Sequence, residues 1–231
     1  MRGRLHTLWL EEFPEDETVA RQVEALRAPY QDTLEEVIAI AGEPIGRHYR
    51  SESPFDKLVG EIICAETGAE IAFMPGVGYG VTLQPGPITR EMLYTLIPHP
   101  AKLVTMRLTG DRVLEILEQC ATNQAPGDPR LIVGGLVQTA GLRWSVDFAQ
   151  PSGSRVSAVY VRGEAIRKDK SYHIGTNAGM ARGLHKYTAF TQGQDVVIHD
   201  IQVNELAERA FANMGSGNPP RSGVTTLTCK E

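Results

Sequence analysis

Cysteine is scarce: Cys64, Cys120 and Cys229 are the only three in 231 residues. They lie too far apart for a disulfide framework or a CxxC metal knuckle. Apolar runs are short as well. Residues 131–137 make one of the longest, far below the ~20 residues that a membrane span needs. Positive charge is not in excess, since 23 Lys and Arg stand against 28 Asp and Glu for a net charge of -5. That balance offers no field for nucleic acid or an anionic bilayer. Residues 1–10 are mixed in polarity and hold no apolar core of signal-peptide length. The six histidines, scattered from His6 to His199, show no ligand spacing. What is present is a chain 42% hydrophobic and 22% charged, enough for one sizeable core or a core with an appendage.

Periodicity divides the chain. Residues 4–11 alternate as a strand would, through Leu5, Thr7 and Trp9. A helix is expected from Glu15, with Val19, Val23 and Leu26 on one face and Glu17 placed to pair with Arg21. Pro29 interrupts it, and residues 37–45 read as extended. The polar, turn-prone stretch 46–54 marks a boundary. Three parts result: a strand and linker helix over 1–47, a main domain over 48–214, and a flexible exit over 215–231. Within the main domain, helices are expected at 55–67 and 203–214, with another running on from the strand 103–108. Thr89 is an N-cap, and Ile88 can staple onto Leu93. Strands are expected at 131–137, 142–148, 155–161, 172–176 and 196–201. Cys64 and Cys120 sit on apolar helix faces, and Trp9 and Trp144 read as packing residues. Strands outnumber helices and mostly do not alternate with them, which predicts an α+β fold of layered mixed sheets with flanking helices.

The chemistry-bearing stretch is "FMPGVGYGVTLQPGPIT", residues 73–89, where Gly76, Gly78 and Gly80 follow a buried strand. A dinucleotide fingerprint needs GxGxxG at the mouth of a helix. Here the spacing is GxGxG, Pro85 and Pro87 follow, and no helix begins before Thr89. A P-loop is excluded too, because Gly-Lys-Ser/Thr is absent. The glycines serve either a tight turn or the close approach of backbone to another group.

The segments "GPITREMLYTLIPHPAKLVTMRLTGDRVLEILEQC" and "VGGLVQTAGLRWSVDFAQPSGSRVSAVYVRGEAIRKDKSYHIGTN" resemble the C-terminal domain of the 5′-nucleotidase family, over residues 53–191. Residues 1–47 are similar to that family's interdomain passage, the last strand of a metallophosphoesterase domain and a linking helix. The resemblance implies a two-domain hydrolase. One domain holds two divalent metal ions, of Mn or Zn type, with the catalytic His/Asp pair; the other binds the organic part of the substrate. A dimetal site activates water and neutralises the transferring group, while the second domain positions it. This chain shows no Asp-x-His and no Gly-Asn-His-Glu/Asp. It is therefore expected to carry no catalytic residue or metal of its own and to be inactive alone. Its expected partner is a metallophosphoesterase domain on the same or an adjacent chain, with no nucleic acid or membrane. The family is usually periplasmic or secreted, and the compartment of this chain stays open.

Against the family's Asn-Gly-Gly-Gly-Ile-Arg loop, this chain places Pro75 at the Asn and Gly80 at the Arg, losing both nucleotide contacts. His99 stands where the family has a Phe after Pro, and Ala178 and Leu184 follow Asn177 where a second stacking Phe and an Asp belong. Without two aromatic faces a purine cannot be sandwiched. The loop is closer to the thiosulfohydrolases of bacterial sulfur oxidation, in which Pro-Gly precedes aromatic-Gly, although Gly78 replaces that subgroup's arginine. The resemblance thus implies a small anionic or sulfur-containing substrate met by Pro75, Gly76, Gly78, Tyr79, Gly80 and His99, and the polar, cationic loop of Asn177, Arg182, His185 and Lys186 is suited to attract an anion. Two alternatives stay open: a non-catalytic binding module for a small anion or partner peptide, and a purely structural domain.

Overall fold

The computed structural model describes residues 6–7, 9–78 and 82–214, in two compact units, Met1–Glu36 and Val37–Glu231. In the first unit, Asp16 caps helix α1 (Glu17–Arg27) by accepting from the amides of Thr18 at 2.8 Å and Val19 at 3.1 Å. Glu17 and Arg21 approach to 3.8 Å, as their spacing predicts. Pro29 lies in the 3-10 turn Ala28–Tyr30, after which α2 (Gln31–Leu34) adds one turn. Of the strand expected over 4–11, residues 4, 5 and 8 lie outside the described residues; residues 6, 7 and 9 form no strand, and 10 and 11 belong to the 3-10 turn Leu10–Glu12. Trp9 is 60% exposed rather than packed.

The second unit starts at Val37, upstream of the boundary expected at 47, because residues 37–45 belong to its core. Strand β1 (Val37–Ala41) buries Ile38, Ala39 and Ala41, and Ile45 pairs with Leu83. Helix α3 (Pro54–Thr67) is capped by Ser53, opened by Pro54 and closed by Gly68, whose φ of +68° suits glycine. Strand β2 (Ile71–Gly76) follows, then β3 (Gly86–Thr89), which pairs antiparallel with β1. Thr89 accepts from the Met92 amide to cap α4 (Arg90–Leu96), and Ile88 and Leu93 are both buried. Strand β4 (Lys102–Thr109) runs directly into α5 (Gly110–Gln124). Next come β5 (Gly135–Ala140), β6 (Leu142–Val146), β7 (Val156–Val161), the short β8 (Glu164–Ala165) and β9 (Ser171–Asn177). Helix α6 (Ala178–Ala181), strand β10 (Gln194–Gln202) and helix α7 (Val203–Met214) complete the unit. The strand expected at 131–137 begins only at Gly135. Asp128 caps a 3-10 turn at Pro129–Leu131, and Gly134, at φ +64°, breaks the run.

The central sheet has the order β10-β4-β9-β2-β5, with β2 and β9 parallel and the other neighbours antiparallel. Its pleat sorts two cores. On β2, Ala72 and Met74 join the cluster containing Phe55, Ile63, Leu93 and Phe211, from α3, α4 and α7. Ile71 and Phe73 join the other cluster, with Ile116 and Cys120 of α5 and Trp144 of β6. Burying a side chain of Phe73's size contributes about 1.5–3 kcal/mol. Cys64 and Cys120 are both buried, and burial pushes each thiol up to about 11. The architecture is the expected one of mixed sheets with flanking helices.

Candidate functional site

The parallel pair β2 and β9 ends side by side, and a cavity of about 450 Å³ opens there. The carboxyl ends of adjacent parallel strands commonly form such crevices. Met74, Pro75 and Val77 supply one wall, Asn177 and Gly179 the next, and Ile97 and His99 after α4 a third. Leu184, His185 and Arg47 also face it. A larger groove, about 670 Å³, follows α1 in the first unit, but it gathers none of the residues singled out from the sequence as ligand contacts.

Of those residues, Pro75, His99, Asn177 and His185 meet around the cavity. Gly76, Gly78 and Arg182 do not line it, and Tyr79 and Gly80 lie outside the described residues. The glycines answer to packing. A Cβ at Gly76 would sit 2.0 Å from the Leu136 carbonyl oxygen, and one at Gly78 would sit 2.6 Å from the Tyr49 Cβ. Neither has positive φ, so close backbone approach is their reason, not turn geometry. Gly76 thus presses on β5 itself, and the Tyr49 segment that Gly78 meets is tied to β5. The Leu136 amide donates to the Tyr49 carbonyl at 2.8 Å, and the buried Gln138 side-chain amide donates to the Ser51 carbonyl at 3.0 Å.

Arg47 is the site residue that sequence reasoning missed. Its Nε lies 3.1 Å from both oxygens of Asp56, and Nη2 lies 2.8 Å from Oδ1. Nη1 donates to the Leu96 carbonyl, and the Ser53 hydroxyl donates to Asp56 at 2.6 Å. The two charged side chains are 4% and 0% exposed. Burial pushes the Asp56 carboxyl above its usual range, while the Arg47 guanidinium and the Ser53 hydroxyl pull it back. The positive charge at the cavity wall is thus held in place by a carboxylate behind it.

His185 occupies left-handed backbone, at φ +56°, and so does Lys186 at +67°. Its carbonyl accepts from Asn123 at 2.7 Å, and its ring packs on Gly134, where a Cβ would come within 2.6 Å of Nδ1. Nδ1 is buried without a hydrogen-bond partner, and burial lowers the imidazole pKa. The neutral tautomer that leaves no buried N–H unpaired carries its proton on Nε2. That assignment makes the ring a donor through Nε2. Asn177 caps α6, its Oδ1 accepting from the Met180 amide at 3.0 Å. Among the described residues, the lining includes no Phe, Tyr or Trp and no Asp or Glu. Nor do any three His, Cys, Asp or Glu converge as a metal ion would require, again among the described residues.

Comparison with known proteins bears on the fold and the family. The chain is 25% identical over 219 residues to the trifunctional nucleotide phosphoesterase protein YfkN of Bacillus subtilis, covering 87% of this chain and 15% of that protein. Among solved structures, the 5′-nucleotidase precursor of Thermus thermophilus superposes with a TM-score of 0.83 at 25% identity, covering 96% of this chain and 45% of that one. The sulfate thiohydrolase SoxB of Thermus thermophilus, solved with glycerol, gives 0.80 at 26% identity, over 94% of this chain and 39% of that one. The chain therefore spans less than half the length of these relatives. The family model "5′-nucleotidase, C-terminal domain" matches residues 34–192, and the chain belongs to that family.

Proposed function

We propose that this chain is the substrate-binding domain of a 5′-nucleotidase-like metal-dependent hydrolase, working on a non-nucleotide anionic or sulfur-containing substrate. Its partner is a metallophosphoesterase domain, on the same or an adjacent chain, that supplies the two divalent metal ions. The described residues offer no ligand set for those metals. This chain contributes binding and orientation, which lower the barrier by fixing the reacting group beside the catalytic centre.

The observation that carries the ligand class is the cavity's lining. It presents two imidazoles, beside an Arg47 guanidinium already engaged by Asp56 and the Leu96 carbonyl, with no aromatic face and no carboxylate among the described lining residues. A purine would forgo stacking worth about 1–3 kcal/mol per ring face. An oxyanion would meet the imidazole donors with no carboxylate among the described lining residues. His99, Asn177 and His185, with the backbone beside Pro75, are the contacts we assign to it.

Titration of the chain with thiosulfate, followed by backbone amide shifts, tests the reading. Saturable shifts are expected at Val77, Ala101 and Gly179, and His99→Ala should weaken binding about tenfold through the lost donor. Shifts away from the cavity, or unchanged affinity in His99→Ala, would overturn it.

A further inference from the structure

The hairpin face of the protein carries a second concavity, of about 420 Å³, that shares no residue with the cavity above. Lys57 and Glu61 of α3, Arg143 of β6, and Tyr160 and Arg162 beside the β7–β8 turn line this open depression. Val161 pairs with Glu164, so Arg162 and Gly163 alone connect β7 to β8. Both have positive φ, +49° and +91°. Such turns ordinarily hold Asn-Gly or Asp-Gly, and an arginine in the first position is strained.

The strain comes with a fixed position for the side chain. The Arg162 amide donates to the Gly141 carbonyl at 2.9 Å, and its Nε donates to the Glu70 carbonyl at 3.1 Å. Gly141 has φ +71°, and a Cβ there would lie 2.1 Å from the Glu70 oxygen and 3.0 Å from Arg162 Nε. Two neighbouring turns therefore keep a guanidinium beside α3. Arg143 faces Tyr160 across the β6–β7 pair, with its Cζ 4.8 Å from the ring centroid. Stacking uses the flat face of a guanidinium. The N–H edge of Arg143 has no carboxylate partner among the described residues. Lys57 is held at 2.6 Å by Glu52. Three cations thus border the concavity with one carboxylate, Glu61, whose contact with Arg162 is long, at 3.5 Å, and partly exposed. A pair of that kind is weak in water and readily displaced.

We propose that this concavity is a second ligand site, which takes the oxyanion end of a small organic acid or phosphate ester between Arg143 and Arg162. Guanidinium forks match the paired oxygens of carboxylates and phosphates. The volume lies in the range of small-molecule pockets. The proposal stands apart from the reading of the cavity at the ends of β2 and β9.

The test titrates the chain at low ionic strength with inorganic phosphate, tripolyphosphate and citrate, following amide shifts. Saturable shifts are expected at Arg143, Tyr160 and Gly163. Arg143→Gln, an exposed change that gives up the stacking on Tyr160 and should lower the melting temperature by no more than a few degrees, should weaken binding about tenfold. Glu61→Gln should tighten it severalfold by removing the one competing carboxylate, and His99→Ala should leave it unchanged. Citrate binding more tightly than the phosphates identifies a carboxylate ligand, and the reverse order a phosphate. The proposal is overturned if no saturable shift occurs there up to about 10 mM anion. Shifts confined to Val77 and Asn177, or Arg143→Gln binding within about twofold of the parent, overturn it equally.

Discussion

Gly76→Ala is expected to destabilise the protein by about 3 kcal/mol or more, near the upper end of overpacking effects. The new Cβ would fall 2.0 Å from the Leu136 oxygen, 2.4 Å from the Gly135 carbonyl carbon and 2.6 Å from that of Leu136. All three are backbone atoms, so no side chain can swing aside. Gly135 is equally confined, with a Cβ there 2.3 Å from the Tyr49 carbonyl oxygen. The β2–β5 pair would have to part where Gly76 meets Gly135, and the register is already irregular between Met74 and Gly76. Pro75 and Val77, on either side, would move with it and deform the cavity. Gly127→Ala is the control, because its added methyl meets open space and should change stability by no more than about 0.5 kcal/mol. Urea unfolding of the two variants gives the comparison. A Gly76→Ala protein as stable as the Gly127→Ala protein would contradict the packing described.

Arg47→Met should be the more costly substitution, at about 3–5 kcal/mol, because it leaves the fully buried Asp56 without its cation. Removing both charges, as Arg47→Met with Asp56→Leu, should recover much of that loss, since a buried pair is often replaceable by apolar groups of similar size. The pH dependence has a definite sign. Burial raises the Asp56 carboxyl above its ordinary 3.8, and loss of Arg47 raises it further. A carboxyl whose folded pKa is raised favours folding below the unfolded value, and that advantage is lost as pH climbs through the folded value. The Arg47→Met deficit should therefore shrink on acidification toward about pH 4 and grow toward neutrality. A loss below about 1 kcal/mol, or one that deepens in acid, would show that the pair is not buried in solution.

The sequence was most informative where structure is set locally. The helix expected at 55–67 stands as α3, and Thr89 caps α4 as expected, because periodicity and capping depend on a few nearby residues. The direct passage from β4 into α5 was legible in the same way. The run 131–137 misled because its apolar composition masks both the 3-10 turn that Asp128 caps, which takes in Leu131, and Gly134, whose positive φ keeps the strand from starting before Gly135. The pairing of β1 with β3 joins residues about fifty positions apart, and no local pattern reports such a contact. This pairing also explains why residues 37–45 read as a linker and yet lie in the core.

At the site, residue types were easier to read than directions. Pro75 and His99 were chosen from their places in a family pattern, and Asn177 and His185 as part of a polar, cationic loop, and the four meet around one cavity. Glycine spacing left a tight turn and a close approach both open at 76 and 78, and the structure has close approach, to β5 and Tyr49. Only the folded chain identifies them. Arg47 carried no signal, because its value depends on Asp56 and Leu96 closing around it.

The central claim, a family fold whose ligand cavity is no longer built for nucleotides, is tested most directly by calorimetric titration of the unmodified chain with adenosine, AMP and thiosulfate. Adenosine and AMP are expected to bind more weakly than about 100 µM, which corresponds to roughly -5.5 kcal/mol, while thiosulfate binds saturably. Adenosine or AMP binding tighter than about 100 µM would contradict the account.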